Sequence, residues 1–169
     1  MASLNPSPAS WWKPAALPLF TGLLALLGAA DGCLNLAKPE GGAATFGLVP
    51  PPRDTVTPAQ FDAFHHALVK VKGARNLHMS SCILALVLYG QFSDVCRASP
   101  LAATAVRRCL GIVLMLGSGV GFSGAAVVSE YMGSSDASSE AVAVGRAKVK
   151  GHLIANVPIL ALGLMYLFY

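Results

Sequence analysis

Four stretches of this chain, about residues 15–37, 74–92, 101–132 and 149–169, are apolar enough to cross a bilayer, a task that takes roughly 20 apolar residues per helix. Where no water is at hand, each backbone N–H and C=O must find its partner inside the segment, so runs of this length and composition fold as helices. Together they use most of the 169 residues and leave no room for a separate soluble domain. Only 12% of residues are charged, against roughly a quarter in soluble domains. The expectation is an all-α protein whose residues 15–169 form one domain, a membrane four-helix bundle running up-down-up-down. Residues 1–14 are expected as a disordered or interfacial segment.

Trp11 and Trp12 beside Lys13 suit the headgroup level, where indole rings settle. Residues 1–33 also invite a comparison with a secretory leader, since Lys13 precedes an apolar run ending at Gly28-Ala29-Ala30. The long Pro-rich start (Pro6, Pro8, Pro14, Pro18) and a helical pattern that continues to Leu36 favour a retained first span. From Lys38 to Thr57 the chain is rich in Gly and Pro and reads as a loop or re-entrant cap rather than a helix. Thr57-Pro58-Ala59-Gln60 offers an N-cap, a proline at the first helical position and a Gln at the capping-box position. Phe61, Phe64, Leu68 and Val71 then recur at helical spacing, as in an amphipathic helix lying on the interface, with Gly73 as a swivel into the second span. Ser93–Pro100 is a short connection carrying Asp94 and Arg97, residues 133–140 a polar turn, and Pro158 a bend in the fourth span.

The formal charge of +4 does not point to nucleic acid, because Lys and Arg lie at the ends of apolar stretches rather than along one basic face. They fit headgroup contact and topology instead, in an integral, multi-pass membrane protein, of the endoplasmic reticulum if the cell is eukaryotic. Lys38, Arg53, Lys70, Lys72, Arg75, Arg146, Lys148 and Lys150 fall on one side, and Lys13, Arg97, Arg107 and Arg108 on the other. The positive-inside tendency puts the first set in the cytoplasm and both termini outside. Cys33, Cys82, Cys96 and Cys109 show no CxxC or Cys/His spacing suited to zinc. They read as small hydrophobes, with a Cys96–Cys109 bridge as the alternative.

The polar residues of the spans gather at one end of the expected bundle. Asp31 and Asn35 close the first span, Arg75, Asn76 and His78 open the second, Ser123 and Glu130 close the third, and His152 and Asn156 open the fourth. Spacings of i,i+4, i,i+3, i,i+7 and i,i+4 put a pair on one face of each helix, as residues lining one hollow must be. Ionisable groups at such depth are costly and mark function. Any one of them alone is more often a solvated helix end; the convergence of all four helices raises the joint reading. The chemistry expected of such a set is acid-base: His78 and His152 as groups able to exchange protons near neutrality, Asp31 or Glu130 as an acid if partly desolvated, and Arg75 as a holder of a carboxylate or enolate oxygen. No nucleophile elbow, phosphate loop or dinucleotide fingerprint is present, and no metal-ligand pair has a diagnostic spacing within one segment. No cofactor is expected.

Leu34-Asn35-Leu36-Ala37-Lys38-Pro39, Thr45-Phe46-Gly47-Leu48-Val49-Pro50, Gly73-Ala74-Arg75-Asn76-Leu77 and Gly151-His152 stand in order along the chain. In these pieces it resembles a family of small four-helix integral membrane proteins of unknown function found in fungi and bacteria, over most of its length from about residue 20. In that family's pattern the Arg is followed by an acid and the third span carries another; here Asn76 follows Arg75, and Ser123 or Glu130 stands in. Fungal members near biosynthetic gene clusters make a lipophilic metabolite the substrate that the resemblance implies.

The functional expectation is a membrane-embedded biosynthetic enzyme that cyclises, isomerises or hydrates a lipophilic intermediate by acid-base chemistry. Glu130 or Asp31 would protonate, His152 would abstract a proton, Arg75 and Asn156 would orient the substrate, and Asn35, Asn76, His78 and Ser123 would bind it. The alternative is a non-catalytic membrane scaffold or accessory subunit. Membrane lipid is a partner in either case. Gly117 and Gly121, a small-xxx-small pair, would pack against a second copy or a partner membrane protein.

Overall fold

The computed structural model of the chain describes residues 13–48, 58–133 and 139–168. Within them every regular element is an α-helix: α1 (Lys13–Ala37), α2 (Pro39–Phe46), α3 (Pro58–Phe92), α4 (Asp94–Ala98), α5 (Pro100–Met132) and α6 (Ser139–Phe168). The N-terminal segment through Trp12, the prolines Pro50 to Pro52, the proposed N-cap Thr57 and residues 134–138 of the polar turn lie outside the described residues.

Three helices are long and apolar enough to cross a membrane, at Ala16–Ala37, Pro100–Met132 and Ala141–Phe168. The fourth long helix, α3, expected to hold the second span, is not among them. Lys70, Lys72, Arg75, Asn76 and His78 occupy its middle, so its continuous apolar run begins only at Ile83 and is too short to span by itself. Many large side chains on the long helices face outward, among them Leu19, Leu27, Leu88, Phe92, Leu116, Ile154 and Phe168. An apolar exterior of this kind fits lipid rather than water.

Two sequence expectations need correction. Pro39–Phe46 is helical, not a loop. Pro39 sits at the first helical position, where its missing N–H costs nothing, and the helix stops at Gly47, whose φ of 99° is readily available only to glycine. The amides of Gly47 and Leu48 both reach back to the Ala43 carbonyl at 3.1 Å and close the C-terminus. Gly73, in turn, is no swivel, because α3 runs unbroken through it for 35 residues, about 52 Å at 1.5 Å per residue. The amphipathic lead-in is thus the first half of α3 rather than a separate interfacial helix.

What Gly73 provides is close approach. A methyl group there would lie 2.9 Å from the Gly32 carbonyl oxygen, and one at Gly32 would lie 2.7 Å from the Leu77 amide nitrogen. α1 and α3 therefore touch backbone to backbone, and since Gly22 lies near Val87 at the far end of α3, they run antiparallel. Gly111 and Gly163 join α5 to α6 in the same manner: a methyl group at Gly111 or Gly163 would lie 2.8 or 3.0 Å from the other's carbonyl oxygen. The two pairs α1/α3 and α5/α6 are the most extensive helix contacts, with α3 against α5 the link between them.

Between the pairs lies a core of Leu110, Leu114, Leu162 and Tyr166, flanked by Leu17, Leu24, Ile83, Leu86, Val87 and Ile159. Inside it Thr21 and Tyr166 share a buried hydrogen bond of 3.0 Å, and Thr21 also donates to the Leu17 carbonyl at 2.8 Å. The short connection after α3 is capped rather than loose. Ser93 caps α4, and Ser99 caps α5 with Pro100 behind it. All four cysteines are free, so the Cys96–Cys109 bridge is not formed.

Candidate functional site

One cavity of about 400 Å³ lies between the four long helices and beneath α2. Its wall changes along the helix axes. Leu24, Ile83, Leu114 and Ile159 line one part, and Asp31, Lys72, Arg75, Asn76, His152 and Asn156 line the other. The gradation follows from register: Asp31 is two to three turns along α1 from Thr21, which also lines the wall, and the other helices repeat this step.

The charged groups form a connected chain. The Asn76 side-chain amide donates to Asp31 Oδ2 at 2.8 Å, while Asn76 Oδ1 accepts from Arg75 Nε and Nη2 at 3.3 and 3.1 Å. Asn76 thereby links Arg75 to a carboxylate on the neighbouring helix, a connection that an acid at this position would replace with its own charge. Lys72 Nζ lies 3.7 Å from Asp31 Oδ2 and donates to Asn35 Oδ1 at 3.4 Å. It also stands 5.1 Å from the centre of the Phe46 ring, within cation-π range. Two cations thus meet one carboxylate, and the site favours an anion. Lys72 lies outside the three candidate spans. Burial pulls its ammonium below the ordinary lysine value, the Asp31 carboxylate pulls it back, and Arg75 adds to the lowering.

The i,i+4 pairs of α1 and α6 use one local device. Asn35 donates to the Asp31 carbonyl at 2.6 Å, and Asn156 donates to the His152 carbonyl at 2.6 Å. Each amide takes the second lone pair of a helical carbonyl and so fixes its own side chain one turn from the ionisable residue. Room for Asn156 comes from Gly121, where any Cβ would strike its amide group.

Phe46, the last residue of α2, ties the cap to the rest. Its carbonyl lies 3.2 Å from His152 Nε2, and its ring packs 5.0 Å from the imidazole at 56°. Since a carbonyl only accepts, Nε2 is the donor in this contact, and in the tautomer this selects Nδ1 is left as the acceptor. On the flank of α5 a further depression of about 560 Å³ shares Phe46, Arg75 and Val120 with the cavity.

Of the nine residues singled out from the sequence, Asp31, Arg75, Asn76, His152 and Asn156 line the cavity. Asn35 is buried beside it, holding Lys72 and the Asp31 carbonyl as above. The other three lie elsewhere. His78 is exposed, with Nδ1 2.7 Å from the Ala74 carbonyl of its own helix. Ser123 is exposed in the flanking depression and donates to Gly119 O at 3.0 Å. Glu130 is exposed near the end of α5.

Helix phase explains the misses. The inner face of α5 is Leu114, Gly117, Val120 and Gly121; at about 100° per residue Glu130 falls half a turn out of phase with Gly121, and Ser123 nearly so. On α3 the inner face is Lys72, Asn76, Met79, Ser80 and Ile83, an i, i+4, i+7, i+8, i+11 series that the sequence carries and that places Lys72 in the site rather than at the interface. Phe46 offered no such signal, since its segment reads as a loop. Gly117 lines the cavity and Gly121 houses Asn156, so the small-xxx-small face is used within the chain. Among the described residues no group of three or more His, Cys, Asp or Glu is placed to hold a metal ion.

The family described as "Domain of unknown function (DUF4267)" matches residues 25–166, nearly the stretch over which the resemblance to a family of unknown function runs. No curated protein and no solved structure matches the chain.

Proposed function

The chain belongs to this family, and from the geometry of its cavity we propose a multi-pass membrane enzyme that isomerises, cyclises or hydrates a lipophilic small molecule by acid-base chemistry. In this reading the four long helices cross the bilayer up-down-up-down, with α3 as the fourth span alongside the three apolar ones. The observation that carries it is a single cavity with an apolar part (Leu24, Ile83, Leu114, Ile159) and a charged part (Asp31, Lys72, Arg75, His152). Its 400 Å³ is within the range of small-molecule sites, and the two-part wall suits a molecule with a hydrocarbon body and an oxygen-bearing end.

His152 is the general base. Its Nδ1 takes a proton from a carbon next to a carbonyl, and the electron pair moves onto the carbonyl oxygen. Arg75 and Lys72 hold the resulting enolate oxygen through charge-assisted hydrogen bonds. The proton returned from His152 to another carbon completes an isomerisation with no co-reactant. Asp31, paired with Lys72 and Asn76, is the counter-charge that positions both. Glu130, outside the cavity, has no part in the step. A substrate dissolved in lipid gains access through the depression on the α5 flank, past Arg75 and Phe46.

The experiment is a lipid-extract profile of cells lacking the gene, followed by incubation of any accumulated compound with the protein purified in lipid nanodiscs. Conversion by the pure protein is expected. Conversion only in the presence of a second protein assigns the chain to a scaffold role instead.

A further inference from the structure

A second cavity, of about 290 Å³, lies at the opposite ends of the same helices. Leu17 and Pro18 from the start of α1, Leu86 from late α3 and Met165 from the end of α6 form apolar walls, and Arg107 from the second and third turns of α5 contributes a guanidinium. The Thr21–Tyr166 hydrogen bond and the Leu110/Leu114 layer stand between this cavity and the first.

Arg107 is the anomaly here. Its Nε is buried and, among the described residues, is the one buried side-chain nitrogen or oxygen without a hydrogen-bond partner. A guanidinium stays charged at any physiological pH, and a buried donor left unpaired is costly enough that native proteins rarely keep one. No carboxylate lines the cavity. The acid at this end, Asp94, lies 3.6 Å from Arg97, and the neighbouring Arg108 adds a further exposed positive charge. A positive, hydrogen-bond-deficient site beside an apolar slot calls for a ligand that is anionic at one end and hydrocarbon at the other.

We infer that this cavity binds one anionic phospholipid, with the Arg107 guanidinium donating to a phosphate oxygen and an acyl chain lying along Leu17, Leu86, Val87 and Leu110. The location supports a phospholipid. Arg107 is near the start of α5, Pro18 is in the first turns of α1 and Tyr166 is near the end of α6, so the guanidinium stands at the depth where headgroups meet acyl chains in a chain that spans the bilayer. The excess of Arg over free acid favours lipids of net negative charge over zwitterionic ones. The site depends on membrane insertion but not on the acid-base reading of the first cavity.

The test is native mass spectrometry of the full chain after delipidation, titrated with phosphatidylglycerol, phosphatidylcholine or oleate. For the wild type, one phosphatidylglycerol should be retained with about tenfold preference over phosphatidylcholine. Arg107→Gln should bring that preference close to unity, and Arg108→Gln should leave it in place. Ala103→Phe, which fills the cavity while sparing both arginines, should remove the retained lipid and keeps the test valid if Arg107→Gln does not fold. Equal retention of the two phospholipids, an unchanged preference in Arg107→Gln, or an equal loss in Arg108→Gln would overturn the site. Oleate retained as tightly as phosphatidylglycerol would overturn the assignment to a phospholipid. Because lipid retention is read without any substrate, failure of this site leaves the proposed reaction untouched, and the converse holds.

Discussion

His152 Nε2 lies 3.2 Å from the carbonyl oxygen of Phe46, 106 positions earlier in the chain. The bond joins the last long helix to the short cap helix and commits the proton to Nε2, so the base face of the imidazole is Nδ1. Replacing His152 with Ala should reduce conversion at least about a hundredfold, the lower range for loss of a general base, while membrane insertion stays at the wild-type level. His152→Gln restores a side-chain amide that can donate to Phe46, so its thermal stability should approach that of the wild type with activity still lost. Turnover near the wild-type rate in either variant removes His152 from the mechanism.

Asp31 and Lys72 are the second test. Removing one member of a partly buried pair leaves the other charge uncompensated, whereas removing both leaves none. Asp31→Asn and Lys72→Met should each lower the melting temperature in detergent, and the double variant should be more stable than the two losses added together. The expected coupling is about 0.5–3 kcal/mol. Strict additivity would show that the 3.7 Å pair contributes nothing.

Glycines at two kinds of position should respond in opposite directions. Gly32→Ala puts a methyl group 2.7 Å from the Leu77 amide nitrogen and forces α1 from α3, at a cost of about 1–3 kcal/mol. Gly41→Ala, in the exposed face of α2 where nothing lies within 4 Å, removes backbone freedom from the unfolded chain and should stabilise the cap by about 0.5–1 kcal/mol. Thermal unfolding of the two variants side by side gives the comparison.

Gly119 also has open space around it, and it lines the depression that adjoins the cavity. Gly119→Trp should therefore insert and fold as the wild type does but obstruct access from the lipid, lowering kcat/KM about tenfold or more with the catalytic groups in place. An unchanged kcat/KM would place the substrate route elsewhere, at the end covered by α2.

Long helices were plain from apolar run length, and α1 and α5 fall within two residues of their sequence-based bounds. Composition misjudged α3 as an unaided span, because the polar residues that build the site are the same ones that dilute it. The i,i+4 pairs Asp31/Asn35 and His152/Asn156 were legible since one helical turn is a fixed distance, whereas Glu130 and Ser123 depended on the absolute phase of α5, which only packing against α6 decides. Lys72 was misassigned because a lysine on an amphipathic stretch is ordinarily solvated; its neighbours Asp31 and Phe46 come from other helices. Pro39–Phe46 looked like a loop because two adjacent glycines argue against a helix in isolation. In the fold, Gly42 is what lets this helix settle on Asn35 and Val69.

The glycine seams clamp α1 to α3 and α5 to α6, whereas the hollow occupies the gutter between these two covers, as in a half-open book. Side chains that set its width, such as Met79, Ile83 and Ala155, belong to neither spine. Relatives can accordingly retune what the gutter accepts by exchanging those side chains, leaving both bindings and the charged head of the page intact.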